Sequence, residues 1–572
     1  MLVFQPQWRR VSDGAGSGRS RESVLSGRWQ WMWPLTTGHR PLTTGYEAVV
    51  TSRVGLVFNP FSYKLHEENL RIVQRYFGLF PPLSLAWVAG VAEQAGHEVV
   101  LIDARTLRLS KEEVLERLKY FQPDILGFMM TTYMYRETLE WARYLKQHLK
   151  VPVMIGGYNL RVYPRASVVA EEIDFGCLMH AITTVPGLLS ELEDGRQFGE
   201  VPGLVWKRGD EVVVNPLPPE PPDFNDFPMP ARHLLPNELY AEFPTERRNF
   251  TVLVSSLGCP YGCTFCEAGR TPHSPRRPEL VVDEMEHCHR EFGIREIDIF
   301  DYEFPCNNKR TLAICKDIQR RNLDIIWACR SRLDSVNREL LQEMAKAGCR
   351  RIYYGIESAV DEILETVNKP MTKELVRQTI QDTQEVGIRP LGFFLVGAPG
   401  ETQDSFSHTL DFAKQLDLDY VQFSKCTAKP LTPLWQDLVR HEGQDYWRNY
   451  ILGLMHEQAL PRPWTDLTNE QIDALAKQAY HDFHFRPKFI LKSILKLRSW
   501  QEFKRKFSCA LEMFVRQEKH AEDWDEERDG FIAYNENTEE LRLRLKERQL
   551  EALKASSPQP KARALEPAQK QP

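Results

Sequence analysis

The strongest constraint on how this chain folds is an alternation that it carries twice: short apolar runs separated by helix-length amphipathic stretches. The first series spans about Arg53 to Leu192. It contains RVGLVF, EVVLIDA, DILGFMM and the strand Val153–Ile155, with PPLSLAWVAGVAEQAGHE forming a helix that ends at Gly96 and further helices from Lys111 and over 137–149. Strands that alternate with helices must pair in parallel, because a crossover helix returns the chain to the same end of the sheet. Open parallel sheets bind ligands beyond the carboxyl ends of their strands. That rule places Asn59, Pro60, Thr131, Thr132, Tyr133, Gly156 and Gly157 along one rim and predicts a cofactor pocket there.

The second series runs through TVLVSS, EIDIF, IIWAC, RIYYGI, PLGFFLV and YVQF. Six such units predict an incomplete β/α barrel, whose chemistry belongs at the carboxyl ends of the strands. The CPYGCTFC loop, the stretch 301–308, Arg330, Glu357 and Gly397 all fall at those ends. Between the two series lie a predicted hairpin, GLVWKRGDEVVVN, and the segment PLPPEPPDFNDFPMP, whose prolines oppose regular structure and read as a linker.

These signals divide the chain into a flexible extension over 1–52, an α/β domain of flavodoxin or Rossmann type over 53–195 and a hairpin with a linker over 196–245. A partial (β/α)6 barrel over 246–432, a helical region over 433–536 and a charged, largely disordered tail over 537–572 follow. At 572 residues, two or three folded units plus tails are expected. The 73 basic and 79 acidic side chains are spread along the sequence, which argues against a nucleic-acid partner. No apolar run reaches the roughly 18–20 residues of a membrane span, and the first 50 or so residues lack the apolar core of a secretory signal. The repeated PLTTG near the amino terminus is too short to define a repeat architecture.

The carboxyl-terminal region is rich in Trp, His, Arg and Lys, and its most basic stretch is HDFHFRPKFILKSILKLRSWQEFKRKF. Phe489, Ile490, Leu491, Ile494 and Leu495 there suit packing on the barrel, the favoured reading, or contact with a membrane surface or an apolar substrate. The last segment begins as a charged helix and has too little apolar surface to stay ordered, so a dispensable tail is expected.

Cysteine usage narrows the chemistry. Eleven cysteines in a chain of this size, three of them clustered, fit a reducing compartment, the cytoplasm, with one metal site better than a disulfide framework. Cys259, Cys263 and Cys266 follow CxxxCxxC on a loop directly after a strand. Three thiolates bind three irons of a cubane cluster and leave the fourth open, and Gly258, Pro260 and Gly262 allow the loop to bend the sulfurs inward. A zinc site would lack its fourth ligand and would not account for the barrel that follows. The other cysteines read as small buried residues, although Cys306 and Cys329 lie near strand ends.

With Phe265 before the last cysteine, this motif resembles the hallmark of the radical S-adenosylmethionine superfamily. The resemblance implies that the open iron chelates S-adenosylmethionine and that one electron cleaves it to a 5′-deoxyadenosyl radical, which abstracts a substrate hydrogen. It further implies that Asp301 and Glu303 meet the cofactor's amino group, that Arg330 or Arg332 pairs with its carboxylate, and that Glu357, Ser358 and Gly397 lie along its ribose and adenine. For each charged residue taken alone, a salt bridge at the barrel rim is the competing reading. An electron donor such as flavodoxin or ferredoxin is implied as a partner.

The amino-terminal domain resembles the cobalamin-binding domain that precedes the barrel in one subgroup, the cobalamin-dependent class, through PPLSLAWVAGVAEQAGHEV, QPDILGFMMTT and VPVMIGG. Thr131, Thr132, Gly156 and Gly157 are then its cofactor contacts. DxHxxG is absent, which implies cobalamin without a histidine ligand. Tyr158 and Asn159 follow the Gly-Gly pair where the subgroup often has histidine, and DFGCLMHAITT stands in place of its acidic stretch. A flavodoxin-like domain kept for packing is the alternative. The favoured reaction is methyl transfer to an unactivated carbon of a lipid or natural product. A non-methylating radical cyclisation or rearrangement, and a cobalamin- or redox-sensing binding protein, are the other readings; an RNA-modifying enzyme would need a basic domain that the chain lacks.

Overall fold

The computed structural model describes residues 52–61, 78–194, 197–242, 245–247, 249–454, 460–495 and 538–557. The expected extension up to residue 51, with its PLTTG pair, lies outside them, as do Cys509, residues 496–537 and the end of the tail from 558. Among the described residues no helix is long and apolar enough to cross a membrane.

The amino-terminal sheet uses strands β1 (Arg53–Phe58), β3 (Glu98–Asp103), β4 (Ile125–Met129), β5 (Val153–Gly156), β6 (Phe175–Cys177), β7 (Leu204–Arg208) and β8 (Glu211–Val214); β2 (Gly78–Leu79) stands apart from it. The order is β3-β1-β4-β5-β6-β7-β8, parallel as far as β6 and antiparallel thereafter. β1 lies one strand in from the edge, with five of its six residues buried. Strand order reverses between β1 and β4, the point at which such sheets open a crevice at their carboxyl ends. Local chemistry sets the helix ends: Leu83–Gln94 unwinds into Gly96 at φ +93°, and Lys111–Phe121 begins at Ser110, whose Oγ accepts from Glu113 N while its own N–H donates to the Glu113 carboxylate. The hairpin assigned to the linker is instead the edge of this sheet, because β7 pairs with β6.

The second sheet consists of β10 (Phe250–Leu253), β13 (Glu296–Ile299), β14 (Ile326–Ser331), β15 (Cys349–Glu357), β16 (Arg389–Val396) and β17 (Tyr420–Lys425), all parallel and in sequential order. This is the partial barrel. Helices pack their apolar faces on its outer side, in a core that includes Met285, Ile314, Leu341, Ile380 and Phe406. The inner face is strongly polar. Arg351 pairs with Glu296 at 2.6 Å, and Arg330 forks onto Asp298 at 2.7 and 3.1 Å. The short strand β9 (Ala241–Glu242), paired with β2, adds a buried Glu242 that accepts from the Tyr353 hydroxyl.

The linker is not loose. Ala231 N–H donates to Ala86 O, Phe224 is buried against Trp87, and the buried Arg232 donates to Thr251, Val252 O and Glu284. Glu284 also accepts from the buried Arg276. Among the described residues, the carboxyl-terminal helices build no core of their own. Asn469–His484 packs on the barrel through Ile472, Ala476, Ala479 and Phe483, whereas Leu434, Leu438, Trp447, Tyr450 and Ile451 join the amino-terminal core. In the helix Pro487–Leu495, Phe489 packs on the barrel core while Ile490, Leu491, Ile494 and Leu495 stay exposed.

The expected dispensable tail is corrected over 538–555, which form a helix docked on the amino-terminal domain. Arg542, 2% exposed, donates to Thr106 O, Gln549 donates to Leu101 O on the edge strand β3, and Leu541, Leu545 and Leu553 pack on the core. Partners more than 400 residues away supply the burial that composition alone does not promise.

Candidate active site

The cysteine loop is built from below. Asp301, just past β13, accepts hydrogen bonds from both the backbone N–H and the hydroxyl of Ser255 and of Ser256, at 2.5–3.0 Å, and so pins the segment leading out of β10. Strand β11 (Ser256–Cys259) then pairs antiparallel with β12 (Thr271–Pro275), with a bulge between Leu257 and Cys259. Gly258 occupies that bulge at φ +75°, and a Cβ there would lie 1.9 Å from Pro272 O, so no other residue fits. Cys259 N–H donates to Thr271 Oγ1, and Cys266 N–H donates to Cys263 O in a tight turn.

A second segment clasps the loop. Thr264 N–H donates to Val367 O, Asn368 Nδ2 donates to Gly262 O at 2.7 Å, and Leu434 N–H reaches Thr264 O from the carboxyl-terminal region. Cys259 is buried and Cys263 and Cys266 are half-buried. Among the described residues no three His, Cys, Asp or Glu side chains converge as ligands of one metal ion. The three thiols are spread along one loop within electrostatic reach of one another, a donor set that suits separate irons of a cluster rather than a single ion. Burial pushes the Cys259 thiol up to about 11.

Glu303, Arg332 and Glu357 gather at this mouth. Glu303 is buried and accepts Arg332 N–H at 2.7 Å on Oε2; burial, partly opposed by the Ser335 hydroxyl and the Arg332 N–H, pushes its carboxyl up to about 7. Arg332 forks onto Asp334 at 2.8 and 2.7 Å, lies 4.2 Å over the Tyr261 ring and brings one N–H to 4.0 Å from Cys263 Sγ. Glu357, at φ +67°, is paired with the buried Lys369 at 2.7 Å. A Cβ on Gly355 would stand 2.3 Å from that ammonium, so the glycine is the space that the pair occupies. Sequence reasoning missed Lys369: it follows β15 by a turn and a short helix and carries no motif of its own.

The other expected contacts are turned inward. Asp301 has its carboxylate saturated by the two serines, and Arg330 has its fork on Asp298 with its guanidinium 4.0 Å over Phe300. In this structure the Asp301 carboxylate and three of the five Arg330 N–H groups are engaged within the protein. Ser358 shares a hydrogen bond with Thr409, and Gly397 is packed so that a Cβ would lie 2.6 Å from Ile472. Gly397 N–H donates to Glu401 Oε2, and its carbonyl accepts from Trp464 Nε1.

Glu401 supplies a pH prediction. It is 1% exposed, and burial, partly opposed by the Gly397 and Ala398 N–H groups, pushes its carboxyl up from 4.5 to about 7. A carboxyl raised on folding contributes stability that is complete below about pH 4.5 and is lost as pH rises through about 7. Glu401→Gln is expected to remove that fall: urea midpoints of variant and parent should agree near pH 4.5, and the variant should be more stable at pH 8 by up to roughly 3 kcal/mol.

On the facing rim, Thr131 and Thr132 follow β4, and Gly156 and Gly157 end β5. Thr132 is buried and its Oγ1 has no hydrogen-bond partner. A Cβ on Gly156 would meet only Cys177 Cβ at 3.9 Å, leaving room above the rim, whereas Gly157, at φ +115°, is required by the approach of Met130 O. This orphaned hydroxyl beside an open glycine fits a polar ligand laid over the carboxyl ends of the strands. The two rims meet: the Tyr158 hydroxyl donates to Pro430 O beyond β17, and Tyr158 and Arg161 are in electrostatic contact with Tyr302, Glu267 and Lys429 at the barrel mouth. Tyr302, 52% exposed, is within electrostatic reach of Cys266.

A parallel sheet with a switch-point crevice and a partial barrel that carries three loop thiols define a two-part α/β protein with a candidate cluster site. The family model described as the radical SAM superfamily matches residues 253–413, and that described as the B12 binding domain matches 71–189. The chain is 31% identical over 431 residues to the uncharacterized methyltransferase PH0819 of Pyrococcus horikoshii, covering 73% of this chain and 90% of that protein. It is 28% identical over 399 residues to the anaerobic magnesium-protoporphyrin IX monomethyl ester cyclase of Rubrivivax gelatinosus, covering 67% and 71%. The solved structure of the radical S-adenosylmethionine methyltransferase TsrM from Kitasatospora setae, with cobalamin and an iron–sulfur cluster bound, shares the fold at a TM-score of 0.55 and 21% identity, over 68% of this chain and 79% of that one. The chain belongs to the radical S-adenosylmethionine superfamily, in the cobalamin-dependent group whose barrel follows a B12-binding domain. It is an enzyme, and its cofactors are a four-iron, four-sulfur cluster, S-adenosylmethionine and cobalamin.

Proposed function

We propose that this enzyme transfers a methyl group to an unactivated carbon of a small lipid or natural product. The observation that carries the reading is the contact between the two rims through Tyr158 and Pro430, which sets the crevice of the first sheet against the cysteine loop and leaves the substrate to bind between them. When bound, the cluster with S-adenosylmethionine supplies hydrogen-atom abstraction and cobalamin supplies the methyl group.

The chain's own residues divide the remaining work. Cys259, Cys263 and Cys266 hold the cluster. Glu303, a buried carboxylate at the mouth beside Arg332, accepts the cofactor's ammonium. Asp301 holds the strand end beneath the cysteines, and Glu357 fixes Lys369 beside them. Ser358 and Gly397 shape the wall along the cofactor's nucleoside. Thr131, Thr132, Gly156 and Gly157 form the cobalamin rim. A low-potential flavin or iron–sulfur protein of the flavodoxin or ferredoxin kind delivers the electron. Among the described residues no cysteine is joined in a disulfide, which is compatible with a reducing compartment such as the cytoplasm.

A second reading, radical cyclisation without methyl transfer, is favoured by the cyclase relative. Anaerobic incubation of reconstituted enzyme with dithionite, S-adenosylmethionine and cobalamin separates the two. Formation of both 5′-deoxyadenosine and S-adenosylhomocysteine is the expected result; 5′-deoxyadenosine alone supports the cyclase reading. Neither product, from protein holding both cluster and cobalamin, supports a sensing role.

A further inference from the structure

The three cysteines do not share one electrostatic environment. Among the described residues, Cys263 alone has a guanidinium N–H within hydrogen-bonding range of its sulfur, from Arg332 at 4.0 Å. That guanidinium is held on two sides, with its Nε and one terminal nitrogen forked onto Asp334 and its plane over Tyr261 at 4.2 Å, while the residue's backbone N–H is tied to Glu303. Tyr261 is itself fixed by a 3.1 Å hydrogen bond to Ser335. The nitrogen that remains is therefore aimed at the sulfur by the other bonds. Lys369, held by Glu357 in the space left by Gly355, is a second buried cation within electrostatic reach of the same sulfur.

We propose that Arg332 is a positioning residue for electron transfer, donating an N–H···S hydrogen bond to the Cys263 thiolate and thereby raising the reduction potential of the cluster. The inference rests on the assignment of the cluster to Cys259, Cys263 and Cys266. Reduction adds one electron from a low-potential flavin or iron–sulfur donor to the cluster and moves no proton or ligand. The added negative charge is stabilised by a cation and a hydrogen bond at sulfur, and hydrogen bonds to the sulfurs are among the terms that set cluster potentials. Lys369 adds to the same field, with Glu357 partly offsetting it. This role replaces the expected carboxylate clamp: two of the three guanidinium nitrogens are already on Asp334.

The test is an anaerobic redox titration of reconstituted full-length enzyme, followed by low-temperature electron paramagnetic resonance and normalised to iron content. In Arg332→Gln the ratio of reduced to oxidised cluster at the parent midpoint should fall about tenfold, which for one electron is a shift of about 59 mV to lower potential. Arg332→Lys keeps the charge and loses the fork, and should fall between the two. Arg338→Gln, at an exposed ion pair on the barrel's outer side, should leave the midpoint unchanged. An Arg332→Gln enzyme with full iron content and the parent midpoint would overturn the proposal, as would an equal shift in Arg338→Gln. If the parent chain assembles no cluster, the assignment of the cysteines fails instead, so the two failures are distinguishable.

Discussion

Cys263→Ala protein, reconstituted with iron and sulfide under anaerobic conditions, is expected to retain the fold of the parent and to lose both the cluster absorbance and 5′-deoxyadenosine formation. The fold should survive because the half-buried Cys263 side chain takes part in one weak hydrogen bond, from Arg332, while the loop path is set by backbone bonds from Thr264, Cys266 and Gly269 and by the Asn368 amide. The cluster should not survive, because two thiolates leave two irons without protein ligands. Turnover should drop by at least a factor of about a thousand, since removing the radical source leaves only binding and orientation, which do not break an unactivated C–H bond. Iron content, visible absorbance and thermal unfolding measured on one preparation check the result. A protein that keeps the cluster would place its ligands elsewhere.

Glu284→Ala carries the largest expected loss of stability. Its carboxylate is fully buried and bridges Arg232 at 2.7 Å and Arg276 at 2.5 Å, both of them nearly inaccessible. Removing it leaves two buried guanidinium groups facing each other without a counter-charge, and breaking a buried pair in this way costs roughly 3–5 kcal/mol. The effect reaches three parts of the molecule. Arg232 belongs to the linker, Arg276 follows the strand that leads away from the cysteine loop, and Glu284 lies on the first barrel helix. The denaturant midpoint should fall without a change in slope. A triple variant, Arg232→Met, Arg276→Met and Glu284→Leu, should recover part of the loss, because exchanging the whole buried set for apolar side chains removes the desolvation cost along with the attraction.

Much of the architecture was legible because periodicity is a local property. RVGLVF, DILGFMM and the six barrel strands announce themselves within a few residues, and CPYGCTFC needs only its own spacing. What was not legible depended on long-range partners. Arg330 and Arg332 stand two residues apart at one strand end, and sequence does not say which meets a carboxylate inside the barrel; Asp298 on β13 takes Arg330, and Asp334 takes Arg332. Asp301 reads as a free carboxylate until Ser255 and Ser256, 46 and 45 residues earlier, are brought against it. Lys369 gains meaning only from Glu357 and from the missing side chain at Gly355. The hairpin of β7 and β8 was visible, but not the sheet it joins.

The docked helix Thr538–Ala555 also sets a schedule for biogenesis. Strand β3 is the edge of the first sheet, and the residue that covers its Leu101 carbonyl, Gln549, is translated 448 residues later. At typical elongation rates of about 5–20 residues per second, the ribosome takes roughly 20–90 s to cover that distance. Throughout that interval, among the described residues, the Leu101 carbonyl lacks this partner, and unpaired strand edges are the kind of surface on which nascent chains associate with one another. The part of the molecule made first is thus finished last, and a carboxyl-terminal truncation strips its edge of cover however far it lies from the cysteines.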